Sequence, residues 1–212
     1  MTFRFVFFDV DSTLVTIEGI DVLAGGNAEI AKLTEAAMNG EIPLDQVYGR
    51  RLDMIRPTRE QVASLGERYL ASMTEGARET IDTLRKNNVS VHLVTAGIAQ
   101  AIAPLAESLG IPARAVHAVS LAFDDDGSYR DFDRRSFLTR PHGKELVVRD
   151  VRARTHGRAA FVGDGVSDLE AKPAVDRFIG FGGVVARERV KAGADVFVED
   201  RDLRSVLPHL LD

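Results

Sequence analysis

The chain has 212 residues, more than an ordinary domain of about 100–200 and fewer than two, so one large domain with an inserted subdomain is expected. Hydrophobic residues make up 45% of it, enough for a core that, without tryptophan, must be filled by phenylalanine and branched aliphatics. A formal net charge of −5 argues against nucleic acid or an anionic membrane as the main partner, and the absence of cysteine excludes disulfides, thiolate zinc sites and cysteine nucleophiles.

The first apolar run, at 3–8, is too short for a signal peptide and lacks a small-residue cleavage site. No run approaches the ~18 apolar residues of a membrane span, so a cytoplasmic location is expected. Runs of strand length recur at 89–94, 159–162, 178–180 and Val196–Val198, between helical patterns. Continuous apolar strands alternating with helices predict an α/β fold with a doubly wound parallel sheet, covered on both faces. Between the first two strands, residues 15–74 hold three helical patterns (Ala28–Met38, Leu44–Ile55 and 59–72) and no strand. A single crossover needs far less chain, so this segment is read as an inserted helical cap. The core then comprises 1–14 and 75–212, entered by a helix near 75–87. A smaller excursion at 116–131 carries Asp124-Asp125-Asp126-Gly127, the turn of a predicted β-hairpin. A calcium loop would need a later glutamate that is missing.

Ligands in open α/β sheets bind beyond the carboxyl ends of the strands, so the residues after each strand are the candidates. After the first strand come Asp9 and Asp11, which share one side of an extended segment. Their mutual repulsion suits metal binding combined with acid–base work; a solvated turn with an aspartate cap is the plainer alternative. The second strand leads into Thr95-Ala96-Gly97, read as opening a helix, where Thr95 is either an anion ligand or an N-cap. Gly143-Lys144 opens another helix, and a lysine in a first turn opposes the helix dipole unless an anion binds there; a solvated surface lysine is the other reading. The strand at 159–162 runs into Gly163-Asp164-Gly165, whose glycines let the backbone bring Asp164 close to a shared ion. Asp168 follows, while Ser167 with Glu170 also reads as a capping box. Oxygen ligands without histidine or cysteine nearby favour Mg²⁺ over zinc. The five histidines are scattered and read as structural. On the wheel of Leu44–Ile55, Arg51 falls inside the apolar stripe of Leu44, Val47, Tyr48 and Ile55. A buried guanidinium needs a carboxylate or phosphate partner, unless its stem packs while its head snorkels out.

From about Phe5 to the C-terminus, these residues resemble the phosphoserine phosphatases of the haloacid-dehalogenase superfamily. The most specific stretches are Phe8-Asp9-Val10-Asp11-Ser12-Thr13-Leu14-Val15, Glu18-Gly19-Ile20-Asp21, Ala37-Met38-Asn39-Gly40 and Gly163-Asp164-Gly165 through Asp168-Leu169-Glu170-Ala171. The resemblance implies a Rossmann-like core and Mg²⁺-dependent hydrolysis of O-phospho-L-serine through an aspartyl-phosphate, as in serine biosynthesis. Asp9 would be the nucleophile and would hold Mg²⁺ with Asp164 and the backbone carbonyl of Asp11, with Asp168 supporting the shell. Asp11 would be the acid and base. Thr95, the Ala96 amide, Gly97 and Lys144 would hold the phosphoryl group, with Ser167 close by. Glu18 would take the substrate ammonium, Arg51 its carboxylate, and Met38 would line the pocket. The partner implied is a small phosphomonoester, bound by a monomer or homodimer with neither nucleic acid nor membrane. The alternatives are a phosphatase or phosphotransferase for another small phosphorylated metabolite, and a binding module without turnover. Two departures stand out. The family's Ser-Gly-Gly is here Thr95-Ala96-Gly97, and the stretch 132–142, with Arg134, Arg135 and Arg140, is unlike its relatives.

Overall fold

The structure, a computed structural model, describes residues 3–211. Six strands form one parallel sheet: β1 (Phe5–Phe8), β2 (Ser90–Ile98), β3 (Val116–Val119), β6 (Ala159–Gly163), β7 (Arg177–Phe181) and β8 (Val196–Val198). The remaining strands, β4 (Leu121–Phe123) and β5 (Tyr129–Phe132), pair as a separate antiparallel hairpin whose turn contains Asp124–Gly127. The spatial order is β3-β2-β1-β6-β7-β8. β1 therefore pairs with β2 on one side and β6 on the other, and the direction of winding reverses there. Such a switch point leaves a crevice beyond the strand ends, where ligands bind.

The predicted α/β class holds, because the strands are apolar on both faces. Residues Ala159, Ala160, Phe161 and Val162 of β6 are all fully buried. The rings of Phe7, Phe161 and Phe178 form a row across β1, β6 and β7, with centroids 6.4 and 6.2 Å apart. Each such ring contributes roughly 1.5–3 kcal/mol by leaving water.

Residues 15–74, between β1 and β2, hold four helices: α1 (Gly19–Leu23), α2 (Ala28–Met38), α3 (Leu44–Ile55) and α4 (Arg59–Ala71). α1 is an addition to the three expected. α2 is capped by the Asn27 side chain and α4 by a capping box between Thr58 and Gln61, which fixes where both begin. The two chain segments joining these helices to the sheet run side by side. Val15 bridges Met73, Thr16 N donates to Ser72 O at 2.8 Å, and Thr74 N donates to Leu14 O at 2.9 Å. Beyond them the sheet is covered by α5 (Ala77–Lys86), α6 (Ala99–Ser108), α7 (Gly143–Ala153), α8 (Val166–Leu169) and α9 (Glu188–Gly193).

Three sequence expectations need correction. β2 runs on to Ile98, and α6 starts only at Ala99. Thr95, Ala96 and Gly97 thus sit in the extended strand end, and Thr95 is not an N-cap; the strand continues because Ile98 still pairs with Val119 after a shift in register. Val116–Val119 belongs to the main sheet, so only part of the 116–131 excursion is hairpin. Finally, α8 begins one residue before Ser167, so the Ser167–Glu170 capping box does not form. The Gly165 N–H is instead met by Asp168 Oδ2 at 2.8 Å, and Glu170 accepts from the His142 amide. Two of the scattered histidines also come together: His92 and His117 stack with ring nitrogens 3.3 Å apart.

Candidate active site

The strands β1, β2 and β6 end at the same edge of the sheet, and each delivers polar side chains into the crevice. From β1 comes Asp9, 2% exposed, with Oδ1 accepting from the Val10 amide at 2.8 Å. From the loop after β6 comes Asp164, fully buried, with Oδ1 accepting from Thr13 Oγ1 at 2.8 Å. Asp168 follows on α8, also fully buried. A Cβ at Gly163 would collide with the Asp168 carboxyl, so glycine is what lets these acids approach. Carboxylate oxygens of Asp9, Asp164 and Asp168 lie within 4.8 Å of one another and could hold a metal ion.

Lys144, in the first turn of α7, is buried and stands between two of these acids, 2.8 Å from Asp9 Oδ1 and 2.6 Å from Asp168 Oδ1. Burial alone would lower its pKa, but Asp168 and Asp9 outweigh that and hold it above its ordinary value. Arg187, from the segment between β7 and α9, reaches the Asp164 carboxylate and lies 3.4 Å from its carbonyl. Even so the crevice remains too acidic. Burial, reinforced by Asp9, pushes Asp11 up to about 7 against the bonds from Tyr69 and Gly19. Burial likewise lifts Asp164 to about 7, with Arg187 opposing and Asp9 adding. A cluster of hard oxygen donors that two cations do not neutralise fits a bound divalent cation.

Asp11 turns away from this cluster. Its Oδ1 accepts from Tyr69 Oη of α4 at 2.7 Å and from Gly19 N at 2.9 Å. Thr95 is buried, and its Oγ1 accepts from Gly97 N at 3.0 Å. On the far side of the same peptide, Ala96 O accepts from Tyr48 Oη of α3 at 2.9 Å.

The helices between β1 and β2 supply the opposite wall. Arg51 lies on the buried face of α3, 6% exposed, as its wheel position suggested. Its Nη1 donates to Thr34 Oγ1 at 3.2 Å, and that hydroxyl lies 2.7 Å from Asp21 Oδ1. Arg51 Nε is buried with no partner. Glu18, just before α1, accepts from Ser12 Oγ at 2.6 Å and is pushed up to about 8 by burial and then by Asp11. One cavity joins the two walls. Asp9, Asp11, Thr95, Ala96, Gly97, Lys144 and Ser167 line it from the sheet; Glu18, Met38 and Arg51 line it from the other side. Asp164 and Asp168 are fully buried and do not line it.

Tyr48, Tyr69 and Arg187 were missed by the sequence reading. The tyrosines carried a usable signal, since a tyrosine in a helix's apolar stripe must find a partner for its hydroxyl. Arg187 carried none. No described helix is long and apolar enough to cross a membrane.

Comparison with known proteins points the same way as the geometry. A sequence model of the haloacid dehalogenase-like hydrolases matches residues 6–171. The phosphoserine phosphatase of Bos taurus is 38% identical over 199 residues, covering 92% of this chain and 88% of that protein. A solved substrate-bound phosphoserine phosphatase complex superposes with a TM-score of 0.86 at 28% identity, covering 99% of both chains. A phospho-aspartyl intermediate analogue of a phosphoserine phosphatase gives 0.84 at 28% identity, covering 99% of this chain and 100% of that one. With a parallel sheet of this order, its acids gathered at the switch point, and a match across most of its length, this chain belongs to the haloacid dehalogenase-like hydrolase family.

Proposed function

We propose that the protein is a Mg²⁺-dependent phosphatase that hydrolyses O-phospho-L-serine to L-serine and phosphate through an aspartyl-phosphate on Asp9. One observation carries the substrate: the buried Arg51 guanidinium, with Nε unpartnered, lines the same cavity as Asp9 and Glu18. An orphaned buried donor costs about 1–3 kcal/mol, and a bidentate substrate carboxylate would remove that cost. Glu18 then faces the substrate ammonium, and the two together select a phosphorylated amino acid. The relatives named above are phosphoserine phosphatases, which supports the same reading.

The chemistry follows from the groups at the sheet edge. Asp9, Asp164 and the carbonyl of Asp11 would hold Mg²⁺, with Asp168 behind them. Bound there, the ion neutralises charge on the phosphoryl oxygens, so that an anionic carboxylate can approach an anionic ester. Lys144 places a second positive charge 2.8 Å from Asp9. Thr95 and the Ala96 amide hold the phosphoryl oxygens. A carboxylate oxygen of Asp9 forms a bond to phosphorus as the bond to the serine oxygen breaks, and Asp11 gives that oxygen its proton. Water then attacks phosphorus and loses its proton to Asp11, and the Asp9–phosphorus bond breaks to release phosphate. Residues 15–74 act as a lid that excludes bulk water and limits substrate size.

Phosphate release across a panel of phosphoserine, phosphoethanolamine and glycerol phosphate, with and without Mg²⁺, tests the reading. Phosphoserine should be turned over with the highest kcat/KM, and chelation should abolish release. Equal kcat/KM for the carboxylate-free esters would overturn the substrate assignment.

A further inference from the structure

Asp11 presents its two oxygens to different surroundings. Oδ1 accepts two donors, the Tyr69 hydroxyl at 2.7 Å and the Gly19 amide at 2.9 Å. An oxygen so engaged has no free lone pair in the carboxyl plane for a proton of its own. Oδ2 lies on the side of the β2 strand end; a Cβ at Gly97 would stand 3.1 Å from it and 3.2 Å from Thr95 Oγ1. We propose that Tyr69 is a positioning residue that fixes the transferable proton of Asp11 on Oδ2, and so sets how well the enzyme expels a poor leaving group.

Tyr69 is built for this task. It is fully buried, and among the described residues its hydroxyl is hydrogen-bonded only to Asp11. The ring is seated against Gly19, where any Cβ would collide with the hydroxyl, so the tyrosine cannot swing aside without losing the space that glycine provides. It projects from the end of α4 tied to the chain after β1, through Thr16 N to Ser72 O and Thr74 N to Leu14 O. The hydrogen bond to Asp11 therefore does not depend on where the more distant α2 and α3 stand. Packing alone would be served equally by phenylalanine.

The inference rests on the reading of Asp11 as the acid that protonates the leaving oxygen. Departure of a serine alkoxide requires a proton, whereas 4-nitrophenolate departs without one. In Tyr69→Phe, kcat/KM for phosphoserine should fall about 10- to 100-fold, part of what a general acid contributes. For 4-nitrophenyl phosphate it should stay within about 3-fold of wild type. Because kcat/KM reports the steps up to ester cleavage, later hydrolysis of the aspartyl-phosphate does not blur the contrast. The phenyl ring fills the same space, and an unchanged melting temperature verifies the fold. Equal losses on both esters would reduce Tyr69 to packing, and no loss on either would remove its role; both outcomes overturn the proposal. If the wild type fails on phosphoserine, the substrate assignment falls, and the same contrast run with the best alkyl ester of the panel still decides Tyr69.

Discussion

The two walls of the cavity are built on opposite principles. At the sheet edge every charged group is already engaged: Lys144 with Asp9 and Asp168, and Asp164 with Thr13 and Arg187. Across the cavity, Arg51 keeps a buried nitrogen without a partner, and Glu18 has Ser12 as its hydrogen-bond donor. Networks satisfied within the protein are rigid before substrate arrives, which suits groups that must be aimed within fractions of an ångström. Groups left unsatisfied are stable only with a ligand, which suits discrimination. On the proposed function, chemistry is preassembled on the sheet, and recognition is left incomplete on the helices.

Substitutions on each wall should fail in different ways. Asp9→Asn should abolish turnover of every ester, by about 10⁴-fold or more in kcat as for other covalent nucleophiles; substantial phosphate release from any substrate would break the division. Lys144→Met leaves Asp9 and Asp168 buried without their cation, and should cost about 3–5 kcal/mol in denaturant unfolding without added metal. A loss below about 1 kcal/mol would mean that the sheet edge is less tightly paired than its distances imply. Arg51→Ala should change stability little, because loss of the orphaned Nε offsets loss of the Nη1 bond to Thr34. It should lower kcat/KM for phosphoserine about 100-fold, equivalent to about 2.7 kcal/mol, while phosphoethanolamine changes little; a uniform loss across both esters would blur the two walls into one.

The smallest effect belongs to the His92–His117 stack, remote from both walls. Burial, then His117 and Arg114, lowers His92 from 6.5 to about 4. Burial also lowers His117, with Asp150 opposing. The folded state thus binds a proton less readily than the unfolded chain. The stack's contribution is complete above pH 6.5 and is lost as the pH falls towards 4. In His92→Gln the drop in melting temperature between pH 7.5 and pH 5 should be smaller than in wild type by a few degrees; an identical drop would show that the stack is not the cause.

Much of the sheet edge was legible in the sequence because Asp9 and Asp164 stand immediately after a strand, where topology alone assigns them a place. Gly163-Asp164-Gly165 could be read for the same reason: only a close approach explains glycine on both sides. Arg51 was legible as a charge within an apolar stripe. Other features were hidden by weaker or competing signals. Val116–Val119 is short and only partly buried, and it merged with the hairpin that follows. Thr95 with a following glycine imitates a helix start, yet pairing with β3 keeps the backbone extended. Tyr69 sits with Val62 and Leu65 on one face of α4, a pattern that reads as core, and its partner lies 58 residues away in sequence. Distance along the chain conceals such a contact; the buried hydroxyl was the only hint of it.

The paired segments at Val15 and Met73 have a mechanical consequence. Two antiparallel threads bonded to each other anchor the end of α4 a few residues from Asp11, while the start of α4 is held by Arg59 N donating to Gly127 O of the hairpin turn. Tyr69 stands beside that anchor at the end of α4, whereas Arg51 projects from the middle of α3, beyond the loop that joins the two helices. A displacement confined to α3 would leave the bond between Tyr69 and Asp11 in place.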